Sequence, residues 1–214
     1  MRLVMPKLYV ILDAERMRGP AQEIAGQLME AGVRLLQYRA KNLAAREMLE
    51  TSTLLAKLAH GARATFFVND RPDVAYLAGA DGVHVGQDDL NVEQARTILG
   101  QERWVGVSTH SLEQFEKAAA SSADYIAIGP IFATTSKVNP DPTVGLDLVR
   151  RARALTRKPI VAIGGIRVAN AAQVLEAGAD SVAVIGDILD AAEPSRQAKT
   201  FIERLEAVKL AADH

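Results

Sequence analysis

The 214-residue sequence predicts a single-domain α/β fold, a (β/α)8 TIM barrel that covers residues 1–214. Three observations lead to this prediction. Short apolar runs alternate with longer amphipathic stretches, a glycine-containing joint recurs before several runs, and polar residues gather directly after the runs. The same alternation also suits a doubly wound open sheet, which is the alternative fold.

Eight apolar runs are predicted to form the strands. Each is about 4–5 residues long and apolar on both faces, which is typical of a parallel strand covered on both sides. In chain order they are residues 8–12, 33–37, 66–69, 82–85, 104–107, 124–128, 159–163 and 181–185.

Helices are predicted between these strands. Residues 21–31 and 43–60 show apolar side chains at helical spacing, and 111–120 opens on Ser111, a favourable N-cap residue. The joint Gly79-Ala80-Asp81 recurs as Gly178-Ala179-Asp180, in each case before a strand. A glycine at the C-terminus of a helix can adopt positive φ and turn the chain into the next strand. Repetition of this joint favours the barrel.

Composition excludes several classes of protein. A net charge of −1 provides no general attraction to nucleic acid or to an anionic membrane. The absence of cysteine excludes disulfides, thiolate metal ligands and a cysteine nucleophile. Apolar stretches are too short to span a bilayer, and no secretory signal is evident at the first residues. We therefore expect a cytoplasmic protein that binds neither nucleic acid nor membrane.

Cationic and acidic side chains follow neighbouring strands. Arg39 and Lys41 come two residues apart after the second strand, so both can face the barrel mouth. Asp70 and Asp89 follow the third and fourth strands, and Mg²⁺ bound by carboxylates, phosphate and water would relieve their repulsion. Taken singly, the cations also suit an ordinary surface, and either Asp suits a helix N-cap or first-turn position, with Asp70 just before a helical pattern. Together with Lys137 they favour a metal–diphosphate site.

A second anion site is predicted after the last strands. Gly164-Gly165 is expected to open a helix after the seventh strand and Gly186 another after the eighth, giving a phosphate cradle of backbone N–H groups. The alternative is a pair of tight turns that need glycine. The long loop 132–143 is expected to be functional or mobile. The loop contains three residues with hydroxyl groups, Thr134, Thr135 and Ser136. These residues are consistent with binding of a second oxyanion and also with a loop that is simply polar.

Taken in order, these motifs resemble the thiamine phosphate synthase family over essentially the whole chain. Any one of them is weak evidence, and the ordered set on successive strand ends is strong. The matching pieces are Gln37-Tyr38-Arg39-Ala40-Lys41, Asn69-Asp70, His84-Val85-Gly86-Gln87-Asp88-Asp89, Gly106-Val107-Ser108-Thr109-His110-Ser111, Gly129-Pro130-Ile131-Phe132, Lys137, Gly164-Gly165-Ile166 and Gly178-Ala179-Asp180.

The resemblance implies a transferase that joins a hydroxymethylpyrimidine diphosphate to a thiazole phosphate with Mg²⁺ as cofactor. Its partners would be these two small phosphorylated substrates. The pyrimidine diphosphate would be held by Gln37, Arg39, Lys41, Asn69, Ser108 and Lys137, of which Arg39, Lys41, Ser108 and Lys137 are the catalytic candidates. Mg²⁺ would be held by Asp70 and Asp89, and the thiazole phosphate by Thr134, Thr135, Ser136, Gly165, Ile185 and Gly186.

The sequence departs from the family pattern in three places. Ala40 replaces a common acidic residue, and residues 133–137 differ from the usual Pro-Thr-x-Thr-Lys although Ser136 keeps a hydroxyl. Gly186 and Asp187 replace a usual Ser-Ala, which removes a hydroxyl from the cradle and adds a carboxylate beside it. We expect Asp187 to be directed away from the phosphate, because like charges repel.

Two alternative functions and the role of one residue are still open at this point. A thiazole tautomerase and a non-catalytic sensor of thiazole or thiamine phosphate are both possible on such a barrel. Retention of the predicted diphosphate site argues against the tautomerase. His84 lies inside the fourth strand, where it suits either a ring-binding position or a hydrogen-bonded core histidine.

Overall fold

The computed structural model describes residues 5–134 and 141–208. The strands are β1 (Leu8–Asp13), β2 (Leu35–Arg39), β3 (Thr65–Asn69), β4 (Gly82–Val85), β5 (Trp104–Thr109), β6 (Tyr125–Ile128), β7 (Ile160–Ile163) and β8 (Ser181–Val184). The helices are α1 (Ala21–Glu30), α2 (Ala45–Gly61), α3 (Pro72–Ala78), α4 (Val92–Leu99), α5 (Leu112–Ala120), α6 (Gly145–Arg153), α7 (Val168–Glu176), α8 (Gly186–Leu189) and α9 (Pro194–Glu206). Of these described helices, none is long and apolar enough to cross a membrane.

The eight strands form a closed parallel barrel in sequence order. β8 closes the barrel by pairing with β1, with Val184 opposite Val10. Each strand is followed by a helix that covers its outer face, so the strands are buried on both sides as their apolar sequences require. The (β/α)8 prediction is therefore confirmed, and the open-sheet alternative is excluded.

Some boundaries differ from the prediction. β2 begins at Leu35, because Gly32 has a φ of 107° and the amide of Val33 donates to Leu28 O, which makes both residues part of the exit from α1. β2 consequently extends to Arg39. α7 begins at Val168, so Gly164 and Gly165 form a turn before the helix rather than its first residues.

Large aromatic side chains fill the barrel interior. Tyr9, Phe67 and Tyr125 pack together there, with ring centroids 5.4–6.2 Å apart. Gly106 makes room for them, since a Cβ at this position would lie 2.0 Å from a ring carbon of Tyr125. The aromatic layer blocks the centre of the barrel, and polar side chains of the same strands lie above it at the carboxyl ends.

Candidate active site

A cavity of about 760 Å³ lies at the carboxyl ends of the strands, and we call it the mouth cavity. This is the end where TIM-barrel enzymes place their active sites. Apolar residues such as Ile11, Ala127 and Val161 contribute part of its wall. Among the predicted site residues, the mouth cavity is lined by Gln37, Arg39, Asn69, Ser108, Thr134, Gly165, Ile185 and Gly186.

The other predicted residues fall into two groups. Lys41 and Asp70 form an ion pair beside the mouth cavity, with 3.5 Å between Lys41 Nζ and Asp70 Oδ2, and Asp89 lies next to Asp70. The remaining predictions concern Thr135, Ser136 and Lys137, which lie outside the described residues.

The two carboxylates of Asp70 and Asp89 lie within hydrogen-bonding reach of each other. Burial, followed by the proximity of Asp89, raises the pKa of Asp70 to about 6. Asp70 also has a φ of 63°, an uncommon left-handed conformation for a residue other than glycine, and residues held in this way cluster at functional sites. It does not cap a helix, because the N-cap of α3 is Arg71. The N-cap alternative is therefore wrong.

This carboxylate pair fits a magnesium ion that shares its coordination with substrate. Within residues 5–134 and 141–208, no group of three or more His, Cys, Asp or Glu side chains could enclose a metal. Mg²⁺ is typically bound through one or two carboxylates, with phosphate oxygens and water completing the shell. A cation between Asp70 and Asp89 would also relieve the repulsion that raises the pKa of Asp70.

Arg39 is held by a carboxylate that the sequence analysis missed. Asp13 ends β1 directly opposite Arg39 in the strand register, and the two side chains form an ion pair. Asp13 is only 2% exposed, and it also accepts a hydrogen bond from the amide of Glu15 at 3.0 Å. Because both partners sit on barrel strands, the guanidinium is fixed at the edge of the mouth cavity.

The glycine cradle depends on close backbone approaches. Gly164 and Gly165 have φ values of 88° and 65°, and a Cβ on Gly165 would lie 2.4 Å from Ala133 O. Asn170, in the first turn of α7, donates to Gly165 O at 3.1 Å and fixes the turn. Gly186 opens α8 as predicted. The backbone after β7 therefore borders the cavity at Gly165, where a side chain would collide with the backbone that follows β6.

A buried hydrogen-bonded chain crosses the barrel beneath the mouth cavity. Gln37 Nε2 donates to Tyr9 Oη at 2.7 Å, and Tyr9 Oη lies 3.1 Å from Tyr125 Oη. Tyr125 Oη lies 2.8 Å from His84 Nδ1, and His84 Nε2 lies 2.8 Å from Ser108 Oγ. His84, whose role is open from the sequence alone, is a buried, hydrogen-bonded residue that also lines the cavity.

Comparisons with known proteins agree on one family. The sequence profile of the thiamine monophosphate synthase family matches residues 8–188. The chain belongs to this family. It is 50% identical over 211 residues to the thiamine-phosphate synthase of Koribacter versatilis, covering 96% of this chain and 98% of that one. The corresponding protein of Chloroflexus aurantiacus is 42% identical over 200 residues, covering 92% of each chain.

A solved structure supports the same assignment. The thiamine phosphate pyrophosphorylase from Pyrococcus furiosus is 35% identical, superposes with a TM-score of 0.86, and the match covers 94% of this chain and 96% of that one. The predictions of family, of a transferase and of a role in thiamine biosynthesis are thereby confirmed.

In this member of the thiamine monophosphate synthase family, Asp187 lines the mouth cavity and its carboxylate is held by two hydrogen-bond donors. Asp187 Oδ2 accepts hydrogen bonds from the amide of Val168 at 3.1 Å and from Gln197 Nε2 at 3.0 Å. The amide of Val168 is one of the donors at the start of α7 that lack an intrahelical partner. The substitution of alanine by aspartate therefore provides a hydrogen bond for α7.

Arg16 is a cavity residue that the sequence analysis did not consider. It follows β1, lines the mouth cavity, and pairs with Asp190 at 2.7 Å. A Cβ on Gly186 would lie 3.4 Å from Arg16 Nη1 and 3.0 Å from Asp190 Oδ2. A residue with a side chain at position 186 would therefore require the Asp190 carboxylate to shift slightly. Its position shortly after the first predicted strand is the sequence signal that indicates it.

Proposed function

We propose that this chain condenses 4-amino-2-methyl-5-(diphosphooxymethyl)pyrimidine with thiazole phosphate to give thiamine phosphate and diphosphate. The observation that carries the proposal is the division of the mouth region into two parts. Paired carboxylates and cations follow β2, β3 and β4, whereas a glycine cradle follows β7 and β8. A metal-bound diphosphate and a separate phosphate monoester match these two parts.

The pyrimidine diphosphate would occupy the side with the carboxylates. We assign Asp70 and Asp89 to Mg²⁺, and this ion would supply charge neutralisation for the departing diphosphate. The cations Arg39 and Lys41 lie within reach of the same group, because each already contacts a carboxylate at this edge. The remaining contacts are assigned to Gln37, Asn69, Ser108 and Lys137.

The thiazole phosphate would occupy the other side. Backbone N–H groups at the turn before α7 are the donors in this assignment, since the positive φ values there expose the backbone. The residues assigned to this substrate are Thr134, Thr135, Ser136, Gly165, Ile185 and Gly186.

We propose a dissociative substitution in which diphosphate leaves before the new bond forms. The amino group of the pyrimidine donates electrons to the developing methylene cation, and the thiazole nitrogen then captures it. Such a path needs no strong base. The side chains around the cavity suit it, because they offer amides, hydroxyls and cations that stabilise a leaving group and orient two substrates.

Release of diphosphate tests the proposal. We expect release only when both substrates and Mg²⁺ are present, and we expect a chelator to abolish it. Asp89→Asn should lower the rate by about 10²-fold, the order expected for the loss of one preorganised electrostatic contact. Asp88→Asn is the matched control, since this neighbouring side chain is exposed and should leave the rate unchanged.

The same assay distinguishes the proposed condensation from the two alternative functions. A thiazole tautomerase would convert the thiazole phosphate alone and release no diphosphate, and a sensor would bind without turnover. Either result would contradict the proposed condensation. The ion pair of Lys41 with Asp70 favours the condensation, because neither alternative requires a diphosphate site. A cytoplasmic location stays part of the proposal.

A further inference from the structure

The buried chain of Gln37, Tyr9, Tyr125, His84 and Ser108 links two residues that line the mouth cavity from different strands. Gln37 lies on β2 and Ser108 on β5, and the three middle residues connect them through the barrel interior. Both ends border the cavity, and none of the five is more than 9% exposed. A change in hydrogen bonding at one end therefore bears on the other end.

Each tyrosine in the chain has a single proton to donate. Burial raises the pKa of Tyr9 and of Tyr125 well above the usual value, so both hydroxyls stay protonated. Gln37 Nε2 donates to Tyr9 Oη, and the other partner of this buried hydroxyl among the described residues is Tyr125 Oη, so we assign the Tyr9 proton to the bond with Tyr125. Tyr125 accepts from Tyr9 and so donates its own proton to His84 Nδ1.

The direction continues through the imidazole. Because His84 Nδ1 accepts a proton, the neutral ring carries its own proton on Nε2 and donates it to Ser108 Oγ. The proton of the Ser108 hydroxyl then points away from His84. At the other end, Gln37 directs one N–H of Nε2 inward to Tyr9, which orients the amide and leaves Oε1 as an acceptor. The Ser108 end of the hydrogen-bonded chain therefore presents a donor to the cavity, and the Gln37 end presents an acceptor.

We infer that this buried hydrogen-bonded chain determines which ring binds at the floor of the mouth cavity. The preferred ring offers an N–H donor to Gln37 and a ring-nitrogen acceptor to Ser108. A neutral 4-aminopyrimidine has this pattern, whereas its 4-oxo analogue presents a carbonyl and a ring N–H and reverses it. His84, Tyr9 and Tyr125 are positioning residues in this scheme, since they act through Gln37 and Ser108. The inference rests on the proposed function, which supplies the aminopyrimidine.

Binding of two unreactive alcohols tests the inference without turnover. The probes are 4-amino-2-methyl-5-hydroxymethylpyrimidine and its 4-oxo analogue, titrated by calorimetry with inorganic diphosphate and Mg²⁺ present. Mismatched buried hydrogen bonds cost roughly 10–100-fold in affinity, so the wild-type protein should prefer the amino compound by that factor. Tyr125→Phe keeps the ring but removes the bridge to His84, and it should reduce the preference to about threefold or less.

Two further variants separate positioning from loss of stability. Tyr9→Phe leaves the Tyr125–His84–Ser108 part intact and frees only Gln37, so its preference should lie between those of the wild type and Tyr125→Phe. Thr109→Val is the matched control, because it removes another buried hydrogen bond, from Thr109 Oγ1 to Ala127 O at 2.8 Å, that is not part of the chain. It should keep the wild-type preference.

The direction of the chain can also be read in the wild-type protein. The ¹⁵N spectrum of histidine-labelled protein should show His84 as a neutral ring protonated on Nε2, with the signal assigned through His84→Asn. A proton on Nδ1, or a wild-type preference retained in Tyr125→Phe, would overturn the inference. Equal affinity of the wild type for both alcohols would do so too. The proposed function is tested separately. It is contradicted if no diphosphate is released when both substrates and Mg²⁺ are present.

Discussion

Asp70→Asn is expected to stabilise the metal-free protein while removing activity. The pKa of Asp70 is raised from 3.8 to about 6 in the folded protein by burial and by Asp89. A carboxyl group with a raised pKa lowers the stability of the folded state wherever it is ionised. The penalty is small below pH 4, grows between pH 4 and 6, and is complete above pH 6. Asparagine removes it, and asparagine tolerates the left-handed backbone found at this position.

The magnitude follows from the size of the shift. Each pKa unit corresponds to about 1.4 kcal/mol, so a shift of about two units gives an upper value near 3 kcal/mol at pH 8. The Asp70 side chain is 21% exposed, and solvent screening reduces this figure to about 2 kcal/mol. At pH 4 the gain should be below about 1 kcal/mol, because Asp70 is largely protonated in the folded protein.

Urea unfolding with a chelator present, at pH 8 and at pH 4, measures both values. Asp73→Asn is the control, because the hydrogen bond from Arg71 lowers the pKa of Asp73. A lowered pKa contributes stability above the unfolded value, so this variant should lose up to about 1 kcal/mol at pH 8. The reasoning is refuted if Asp70→Asn is less stable than the wild type at pH 8, or gains equally at both pH values.

Three further predictions concern other parts of the molecule. Lys137→Ala should lower kcat by about 10²-fold with an unchanged unfolding midpoint, and a kcat like that of the wild type would remove Lys137 from the site. Arg16→Ala should raise the KM for thiazole phosphate about 10-fold but leave that for the pyrimidine diphosphate unchanged, because Arg16 lies beside Gly186. Gly106→Ala should lower the free energy of unfolding by at least about 2 kcal/mol, measured in urea, since its Cβ would overlap the Tyr125 ring; full stability would show that the ring can move.

The barrel could be predicted from sequence because its signals are local. Strands buried on both sides read as apolar runs, and the αβ joints carry a glycine such as Gly79, which caps α3 in the left-handed conformation. The start of β2 could not be predicted in the same way. Val33 is apolar and β-branched like a strand residue, but its amide is used to close α1. Which of two apolar residues begins a strand depends on such tertiary hydrogen bonds.

Site residues that come at or directly after the end of a strand could be predicted from the sequence. Residues whose role depends on contacts with a distant strand across the barrel were harder to predict. Asn69, Asp70 and Ser108 come directly after or at the end of apolar runs, so their placement at the mouth followed from the fold. The chain through Tyr9 and Tyr125 joins residues 116 positions apart. Each looks like an ordinary aromatic strand residue in sequence, and only the closed barrel shows that their hydroxyls meet.

Charge pairing at the mouth gives the proposed Mg²⁺ a role in the binding of diphosphate. Arg39 is paired with Asp13 and Lys41 with Asp70, and Asp89 adds a third carboxylate to these two cations. Without a metal, the described residues of this side therefore carry one excess negative charge, which would disfavour an anionic substrate. Mg²⁺ bound as proposed by Asp70 and Asp89 would reverse the sign, and its contact with Asp70 would compete with the ion pair of Lys41. The Lys41 ion pair is the more exposed of the two, so Lys41 would be the cation that turns toward diphosphate, whereas the half-buried Arg39 would meet it from the position in which Asp13 holds it.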